Sequence, residues 1–177
     1  MKKLKVDLKR KSQLYPMPVV IVGSEFENTI NWLTVAYVGI IGSNLISLSL
    51  SKNHFSNSLI KQSKQLSINI PSIEDVKKTD KVGCISGHNE NKSDIFEIFR
   101  GSFRYAPMIK SFPINMECLI HQILDIDEQH ELFICQPTNI YIKEGLSFDI
   151  KSFNPLLFSW EGYYSVGEKI GIPWKEN

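Results

Sequence analysis

The amino-acid sequence predicts an antiparallel β-barrel with short helical excursions. Runs rich in β-branched and aromatic residues are joined by links too short for the crossover helices that a parallel sheet requires. Only two short segments have helical spacing, which does not fit a βαβ repeat. At 177 residues the chain is expected to form one domain, residues 1–177.

The first predicted strands form a hairpin and its neighbours. VVIVGS follows Pro18 and leads through a polar turn, residues 25–28, into TINWLTVAY, residues 29–37. Gly39 and Gly42 indicate turns. LISLSLS then alternates serine with leucine, as in a strand with one apolar face. LSINI then restores the period of two, and Pro71 ends that strand.

The rest of the chain is predicted to contain two helices and more strands. One helix covers residues 56–64, and a second begins after Ser93 as its cap, while residues 72–92 are mostly loop-like. NMECLIHQILDID and HELFICQPTNIYI are strand-rich and are separated by a turn at residues 127–129. The aromatic, glycine-rich tail holds at most one more strand.

The N-terminal stretch MKKLKVDLKRK carries six basic side chains. Residues 1–12 are expected to be an edge strand guarded by lysines or a basic arm, and they lack the apolar core of a secretion signal. Without these six residues and Asp7, 14 basic residues face 18 acidic ones, a net charge of −4. This balance argues against nucleic-acid binding, and no apolar run approaches the roughly 20 residues of a membrane span.

Cysteine and histidine usage indicates a cytoplasmic protein without a metal site. Cys84, Cys118 and Cys135 are odd in number and widely spaced, so we expect reduced, mostly buried thiols. The four histidines stand at no recognised metal-ligand spacing. The usual nucleotide-phosphate loops, GxGxxG and GxxxxGK[ST], are absent from the sequence.

The stretch SLSLSKNHFSNSLI, residues 47–60, is the candidate for an anion site. A strand ends here in Lys52, His54 and Ser56, where a helix is predicted to begin. A helix N-terminus has unpaired N–H groups and a positive dipole end, so a flanking lysine, imidazole and hydroxyl would complete a phosphate pocket. In the alternative interpretation, Lys52 and His54 are solvated, Ser56 only caps the helix, and Phe55 packs in the core.

Six segments in order resemble the flavin reductase-like proteins of the FMN-binding split-barrel type, the group that includes flavoredoxins. They are VVIVGS, NWLTVAY, SLSLSKNHFSNSLIKQ, LSINIP, TDKVGCISGHNENK and GYYSVGE. The resemblance extends from about residue 16 to 171. It implies a six-stranded antiparallel split barrel that forms a homodimer and binds FMN near the dimer interface. Aromatic residues of the tail would add to that interface: Trp160, Tyr163, Tyr164 and Trp174.

The resemblance also implies which residues bind the cofactor. Asn31 and Thr34 would follow the isoalloxazine ring, with the backbone near Ala36. The ribityl and phosphate groups would contact Ser49, Ser51, Lys52, His54, Phe55 and Ser56. A glycine loop would add Gly83, Ser86, Gly87 and Lys92. Two departures stand out: Asn91-Lys92-Ser93 replaces the family's Asp-Lys-aromatic, which weakens Lys92 as a contact, and Gly42-Ser43-Asn44 replaces Asp-Pro-Pro.

The resemblance therefore implies an FMN-dependent oxidoreductase. It would take hydride from NAD(P)H onto bound flavin and pass electrons to a small-molecule or redox-protein acceptor. Hydride transfer depends on positioning, so no catalytic residue is predicted, and His54 and Lys92 would tune the flavin. The alternatives are an FMN-binding electron carrier without NAD(P)H turnover, or a barrel that resembles the family but binds no flavin.

Overall fold

The computed structural model describes residues 3–7 and 12–174. Within them the chain forms twelve β-strands and three α-helices. The strands are β1 (Met17–Pro18), β2 (Val20–Phe26), β3 (Thr29–Val35), β4 (Val38–Gly42), β5 (Leu45–Ser51), β6 (Gln65–Ile70), β7 (Ile98–Phe99), β8 (Met108–Ile109), β9 (Ile114–Asp125), β10 (His130–Ile142), β11 (Leu157–Ser159) and β12 (Gly162–Tyr164). The helices are α1 (Phe55–Ser63), α2 (Val76–Cys84) and α3 (Ile150–Phe153), and 3₁₀ turns cover Ile73–Asp75 and Ser93–Ile95.

The main sheet is antiparallel throughout, which confirms the predicted fold class. Within residues 12–174 its strand order is β3-β2-β6-β9-β10-β5-β4, so the predicted count of six strands is wrong by one. The sequence pattern misses β4 because Gly39 and Gly42 indicate a turn. In the structure β4 pairs with β5 and places Ile40 opposite Ile46. Two smaller sheets join β1-β11-β12 and β7-β8.

β2 and the middle of β3 are buried on both faces, so apolar residues point to either side of these strands. Val22 and Leu33 point into the main core, where strands β5, β6, β9 and β10 also contribute. Ile21 and Trp32 point the other way and pack with Val82 of α2. Because side chains alternate along a strand, β3 thus presents one face to the barrel core and the other to α2.

The helix predicted over residues 56–64 is confirmed to within one residue by α1. The prediction that residues 72–92 are loop-like is wrong, because α2 lies within them. The helix follows a capping box in which Ser72 and Asp75 bond to each other. Thr79 and Val82, three residues apart, are both fully buried, which is the spacing of one helical face.

The second predicted helix, capped by Ser93, is wrong. The Ser93 hydroxyl bonds to Asp94, and only one 3₁₀ turn forms before the backbone becomes extended at Phe96. The Phe96 ring packs edge-to-face against Trp32, with ring centroids 5.5 Å apart. Tertiary packing of this aromatic ring therefore overrides the local helical signal.

The C-terminal half contains the two predicted long strands, which form the β9–β10 hairpin. The tail forms two strands, β11 and β12, where at most one was predicted. The predicted N-terminal edge strand or arm lies partly outside the described residues, and residues 3–7 are neither helix nor strand. None of the described helices is long and apolar enough to cross a membrane.

A buried carboxylate, Glu117 of β9, fastens a loop to this hairpin. It accepts hydrogen bonds from the backbone N–H groups of Ser102 (3.1 Å) and Phe103 (2.8 Å) and from the side chains of Asn139 (2.9 Å) and Tyr141 (3.1 Å). Burial alone would raise the pKa of Glu117, but these hydrogen bonds outweigh it and lower the pKa. The ionised carboxylate therefore stabilises the fold.

Candidate functional site

Two adjoining cavities lie beside strand β3. Cavity A, about 240 Å³, lies between β3, the start of α1 and residues 82–87 at the end of α2. Cavity B, about 310 Å³, is lined by residues 34–37, the end of β5, and side chains from β10 and the tail. Thr34 and His54 line both cavities. The two cavities therefore form one elongated depression along the strand.

The sheet topology explains why the cavities are here. Within residues 12–174, β3 and β4 are the two edges of the main sheet and are also consecutive in the chain. Residues 34–37, which line cavity B, are the end of β3 and the link into β4. The cavities thus occupy the opening of the barrel, where strand backbone lacks a neighbouring strand.

Asn31, Ser56 and Gly87 meet at one end of cavity A. Asn31 is buried and donates through Nδ2 to Ser56 Oγ at 2.7 Å, which ties β3 to the first turn of α1. A Cβ atom on Gly87 would lie 2.5 Å from Asn31 Oδ1 and 2.9 Å from a ring carbon of Phe55. Only glycine therefore allows the loop after α2 to pack this closely against β3.

Thr34 lies on the opposite face of β3, as expected for a residue three positions from Asn31. Its hydroxyl donates to the carbonyl of Thr79 at 2.7 Å and connects the strand to α2. The Asn-x-x-Thr pair therefore places one residue against each helix. Both side chains still line cavity A, because the cavity extends around the edge of the strand.

Lys92 is a buried cation in the wall of cavity A. Only 2% of the residue is exposed, and Nζ donates to the carbonyls of Trp32 (3.1 Å) and Val82 (3.0 Å). Burial lowers its pKa, which the nearby Glu90 carboxylate partly opposes. An ammonium has three N–H groups, and no third acceptor for it is found among the described residues. One N–H group therefore remains for a ligand.

His54 stands at the junction of the cavities and is the N-terminal cap residue of α1. No side chain caps the helix, and although the Asn57 N–H donates to the His54 carbonyl at 3.1 Å, the N–H groups of Phe55 and Ser56 keep their capacity to bind an anion. Among the described residues the buried Nδ1 of His54 has no hydrogen-bond partner. Burial lowers the pKa of His54, and electrostatic repulsion from Lys92, and from His130 whenever that ring is protonated, lowers it further. A bound anion would stabilise the protonated imidazole and so raise the pKa of His54 again.

Cavity B has an aromatic wall that the sequence patterns did not reveal. Tyr37, Phe158 and Trp160 line it together with His130, which is paired with Ser51 across strands β10 and β5. Phe158 and Trp160 pack edge-to-face at 5.4 Å. The wall joins distant segments, because Tyr37 and Phe158 lie more than 100 residues apart in the sequence. His130 follows the predicted turn at residues 127–129, but no local spacing links it to Ser51.

Lys52 is turned toward the β9–β10 hairpin. Its ammonium lies 2.6 Å from Asp125 Oδ1, and its backbone N–H donates to the carbonyl of Gln129 at 2.8 Å. Lys52 therefore connects the end of β5 to the hairpin in the structure. Its predicted phosphate contact remains a prediction, and it would require the ion pair with Asp125 to break.

Most of the residues predicted to contact the cofactor are brought together. Cavity A contains seven of them and Gly83: Asn31, Thr34, His54, Phe55, Ser86, Gly87 and Lys92. Cavity B adds three more: Ala36, Ser49 and Ser51. The remaining two are Ser56, which is buried behind Asn31, and Lys52. Their roles as ligand contacts remain predictions.

The arrangement defines a barrel with an elongated depression that has the size and polarity to hold a small molecule. Cavity A has anion-binding groups, namely the uncapped start of α1, His54 and Lys92. Cavity B has aromatic walls suited to a planar ring system. The family model described as "Flavin reductase like domain" matches residues 12–167. The chain belongs to this flavin reductase-like family.

Solved structures agree with this assignment. Flavoredoxin from Methanosarcina acetivorans is 29% identical, with a TM-score of 0.92, covering 98% of this chain and 97% of that one. Flavoredoxin of Desulfovibrio vulgaris (Miyazaki F) is 26% identical, with a TM-score of 0.84 and coverage of 97% and 98%. An FMN-binding protein from Thermus thermophilus, 18% identical with a TM-score of 0.83 and coverage of 98% and 99%, shares the fold. The family and these structures support a flavin-related redox function.

Proposed function

We propose that cavities A and B together bind FMN and that the protein is an FMN-dependent oxidoreductase. The observation that carries the proposal is the direct connection of a cationic cavity to an aromatic one through Thr34 and His54. FMN has the matching shape, with a planar ring system at one end and a phosphate at the other. Membership of the flavin reductase-like family supports the choice of ligand.

The phosphate would lie in cavity A. It would accept hydrogen bonds from the first N–H groups of α1 and from Lys92 Nζ, and it would favour protonation of His54. Three features of the site lack a protein partner among the described residues and fit this role: the uncapped helix start, the buried Nδ1 of His54 and the third N–H of Lys92. Ser86 and Gly87 would line the ribityl chain.

The ring system would lie in cavity B. Residues 34–37 line this cavity, and the carbonyls of Ala36 and Tyr37 already accept from the N–H groups of Val38 (3.0 Å) and Ser49 (2.9 Å). The remaining backbone groups of this link could bond to the polar edge of the isoalloxazine ring, near Ala36. Ser49 and Ser51 line the opposite wall, and Phe158 and Trp160 shield the ring from water. When bound, the flavin supplies the electron-transfer chemistry, while these residues orient it and exclude water.

The reaction we propose is hydride transfer from NAD(P)H to the flavin, followed by transfer of electrons to a small-molecule or redox-protein acceptor. The second candidate is an FMN-binding electron carrier without NAD(P)H turnover. One observation favours this candidate: two solved structures at 26% and 29% identity are both flavoredoxins. Steady-state oxidation of NADH and NADPH by FMN-loaded protein distinguishes the two, because only the oxidoreductase turns over.

Titration with FMN tests the shared part of the proposal. The purified protein should show flavin absorbance, or acquire it with one FMN bound per chain. Thr34→Trp should abolish binding because the indole would fill the junction of the cavities, whereas Thr138→Trp, on an exposed part of β10, should bind normally. Circular dichroism establishes that both variants are folded. A colourless protein that does not take up FMN would refute the proposal.

The proposal includes a homodimer. Large apolar side chains are exposed on β4 and β10, among them Ile40 (84% exposed) and Ile140 (59% exposed). The aromatic tail adds Trp160 and Tyr164, both about half exposed. A second copy would cover such surface. Sedimentation at micromolar concentration should give twice the 20.3 kDa chain mass, and a monomer at that concentration would contradict the dimer.

A further inference from the structure

A third cavity, cavity C, lies on the other side of the wall of cavity B. Its volume is about 400 Å³, and it lies between the N-terminal segment and the tip of the β9–β10 hairpin. Leu14, Tyr15, Met17 and Ile126 give it a mostly apolar lining. Cavities B and C share three wall residues: Tyr37, Ser49 and His130. None of the residues predicted for the cofactor reaches cavity C except Ser49.

His130 is the polar group that is oriented between these two cavities. Its Nδ1 lies 3.2 Å from Oδ1 of Asp127, which also accepts hydrogen bonds from the backbone N–H groups of Gln129 and His130. The hydrogen bond from Gln129, together with those from His130, lowers the pKa of Asp127. An ionised carboxylate only accepts hydrogen bonds, so Nδ1 carries a proton. With Nδ1 as the donor to Asp127, Nε2 is the ring nitrogen left to accept a hydrogen bond.

We infer that cavity C binds a small, largely apolar hydroxyl compound, such as a phenol or naphthol, whose hydroxyl donates to His130. The apolar lining favours an aromatic body, and the oriented imidazole supplies one polar contact of defined direction. Three of the apolar side chains that line it are exposed without such a ligand: Leu14 (84%), Tyr37 (45%) and Ile126 (51%). The lining is continuous with cavity B, and a second copy of the chain on this surface is one outcome that the experiments distinguish.

A compound in cavity C would lie next to the ring system proposed for cavity B. Trp160 Nε1 donates to the hydroxyl of Tyr15, so a residue of cavity B is fastened to a residue of cavity C. This hydrogen bond leaves the Tyr15 hydroxyl proton available to a ligand. Only the role of the compound as a redox partner or inhibitor of the flavin rests on the proposed function. Its binding in cavity C does not.

Methyl NMR with 2-naphthol as the probe tests the inference. Saturable shifts of the methyl groups of Leu14, Met17 and Ile126 are expected in both FMN-free and FMN-loaded protein, with Ile150 unchanged. Ile126→Asp should weaken binding about tenfold or more, because it places a charge in the apolar wall. Ile150→Asp is the matched control, since Ile150 is also 51% exposed but lies outside cavity C, and it should bind 2-naphthol normally.

The hydroxyl contact is tested separately. His130→Phe keeps a ring but removes the acceptor, so 2-naphthol should bind about two- to tenfold more weakly while naphthalene, which has no hydroxyl, binds as before. His121→Phe, on the exposed side of the same hairpin, should change neither ligand.

Several results would overturn the inference. They are the absence of saturable shifts at millimolar 2-naphthol, competition between 2-naphthol and FMN, and equal effects of His130→Phe on both probes. A dimer that Ile126→Asp dissociates, together with no binding of 2-naphthol to the wild type, would show that a second copy occupies this surface. FMN binding is measured independently in each sample. Loss of FMN binding with retained 2-naphthol binding would refute only the proposed function.

Discussion

Two lysines stand near the proposed phosphate position, and their environments predict opposite effects of mutation. Lys92 is buried, lines cavity A and has one N–H group without an acceptor among the described residues. Lys52 is paired with the exposed Asp125. Comparing Lys92→Met with Lys52→Met therefore asks which cation binds the phosphate. Methionine keeps the apolar stem of each side chain and removes the charge.

The expected magnitudes follow from these environments. A hydrogen bond from a charged donor to phosphate contributes about 1.5–3 kcal/mol, so Lys92→Met should weaken FMN binding about 10- to 150-fold. Lys52 is paired with Asp125 and lines neither cavity, and an exposed charge contributes about 0–1 kcal/mol, so Lys52→Met should weaken FMN binding by less than about fivefold. Riboflavin has no phosphate and should bind both variants nearly as well as the wild type. The ratio of FMN to riboflavin affinity is therefore the decisive quantity.

Fluorescence titration of both flavins at fixed salt measures this ratio. Lys92→Met also leaves the carbonyls of Trp32 and Val82 without their donor, which should lower the free energy of unfolding by about 2–4 kcal/mol. Thermal unfolding must therefore show that the variant is folded at the assay temperature. The assignment of the phosphate to Lys92 is refuted if the ratio of FMN to riboflavin affinity stays unchanged in Lys92→Met but falls strongly in Lys52→Met. In that case Lys52, and not the buried Lys92, would bind the phosphate. Lys52 would then have to leave Asp125 when FMN binds.

Three further predictions test individual contacts. Glu117→Gln should destabilise the fold by about 2–4 kcal/mol at neutral pH, because the amide turns a donor toward the groups that now donate to the carboxylate. Since the pKa of Glu117 is lowered in the folded state, this contribution is present above its ordinary value of 4.5 and lost as the pH falls below it, so urea titrations of wild type and variant should converge in acid. Gly87→Ala should weaken flavin binding and lower the melting temperature because its Cβ would collide with Asn31, whereas Gly167→Ala, which meets nothing within 4 Å, should do neither. Alkylation of Cys84, which is exposed and lines cavity A, should slow in proportion to FMN saturation, and an unchanged rate would place the ligand elsewhere.

The fold class was predictable because it depends on local patterns. Alternating serine and leucine in β5 and the β-branched run of β2 have the period of strands, and the structure agrees. β4 was not predictable, because its glycines indicate a turn and only its pairing with β5 makes it a strand. Helix α2 was missed because its buried face has only two residues, Thr79 and Val82, within a polar sequence.

The candidate site also contains residues that the sequence could predict and residues that it could not. His54 and Phe55 come from one continuous stretch, so the change from strand to helix indicated them directly. The aromatic wall of cavity B could not be predicted, because Phe158 and Trp160 reach this cavity only through pairing of the tail with β1. Lys52 shows what prediction from neighbouring residues in the sequence cannot give. Its position beside the helix start is as predicted, but the hairpin brings Asp125 close enough to pair with it.

The location of the site is also related to the unpaired edge strands that every open sheet has. An edge strand carries backbone groups without a strand partner, which other chains can pair with unless the edge is covered. On β3 the first part of this edge is covered from within the chain, because Lys92 donates to the carbonyl of Trp32 and α2 packs beside Thr34. Residues 34–37 lie beyond that cover and line cavity B. A planar ligand with polar groups on its rim would cover the rest of this edge. The opening of the barrel therefore leaves strand backbone unpaired and, for the same reason, provides a place where such a ligand can bind.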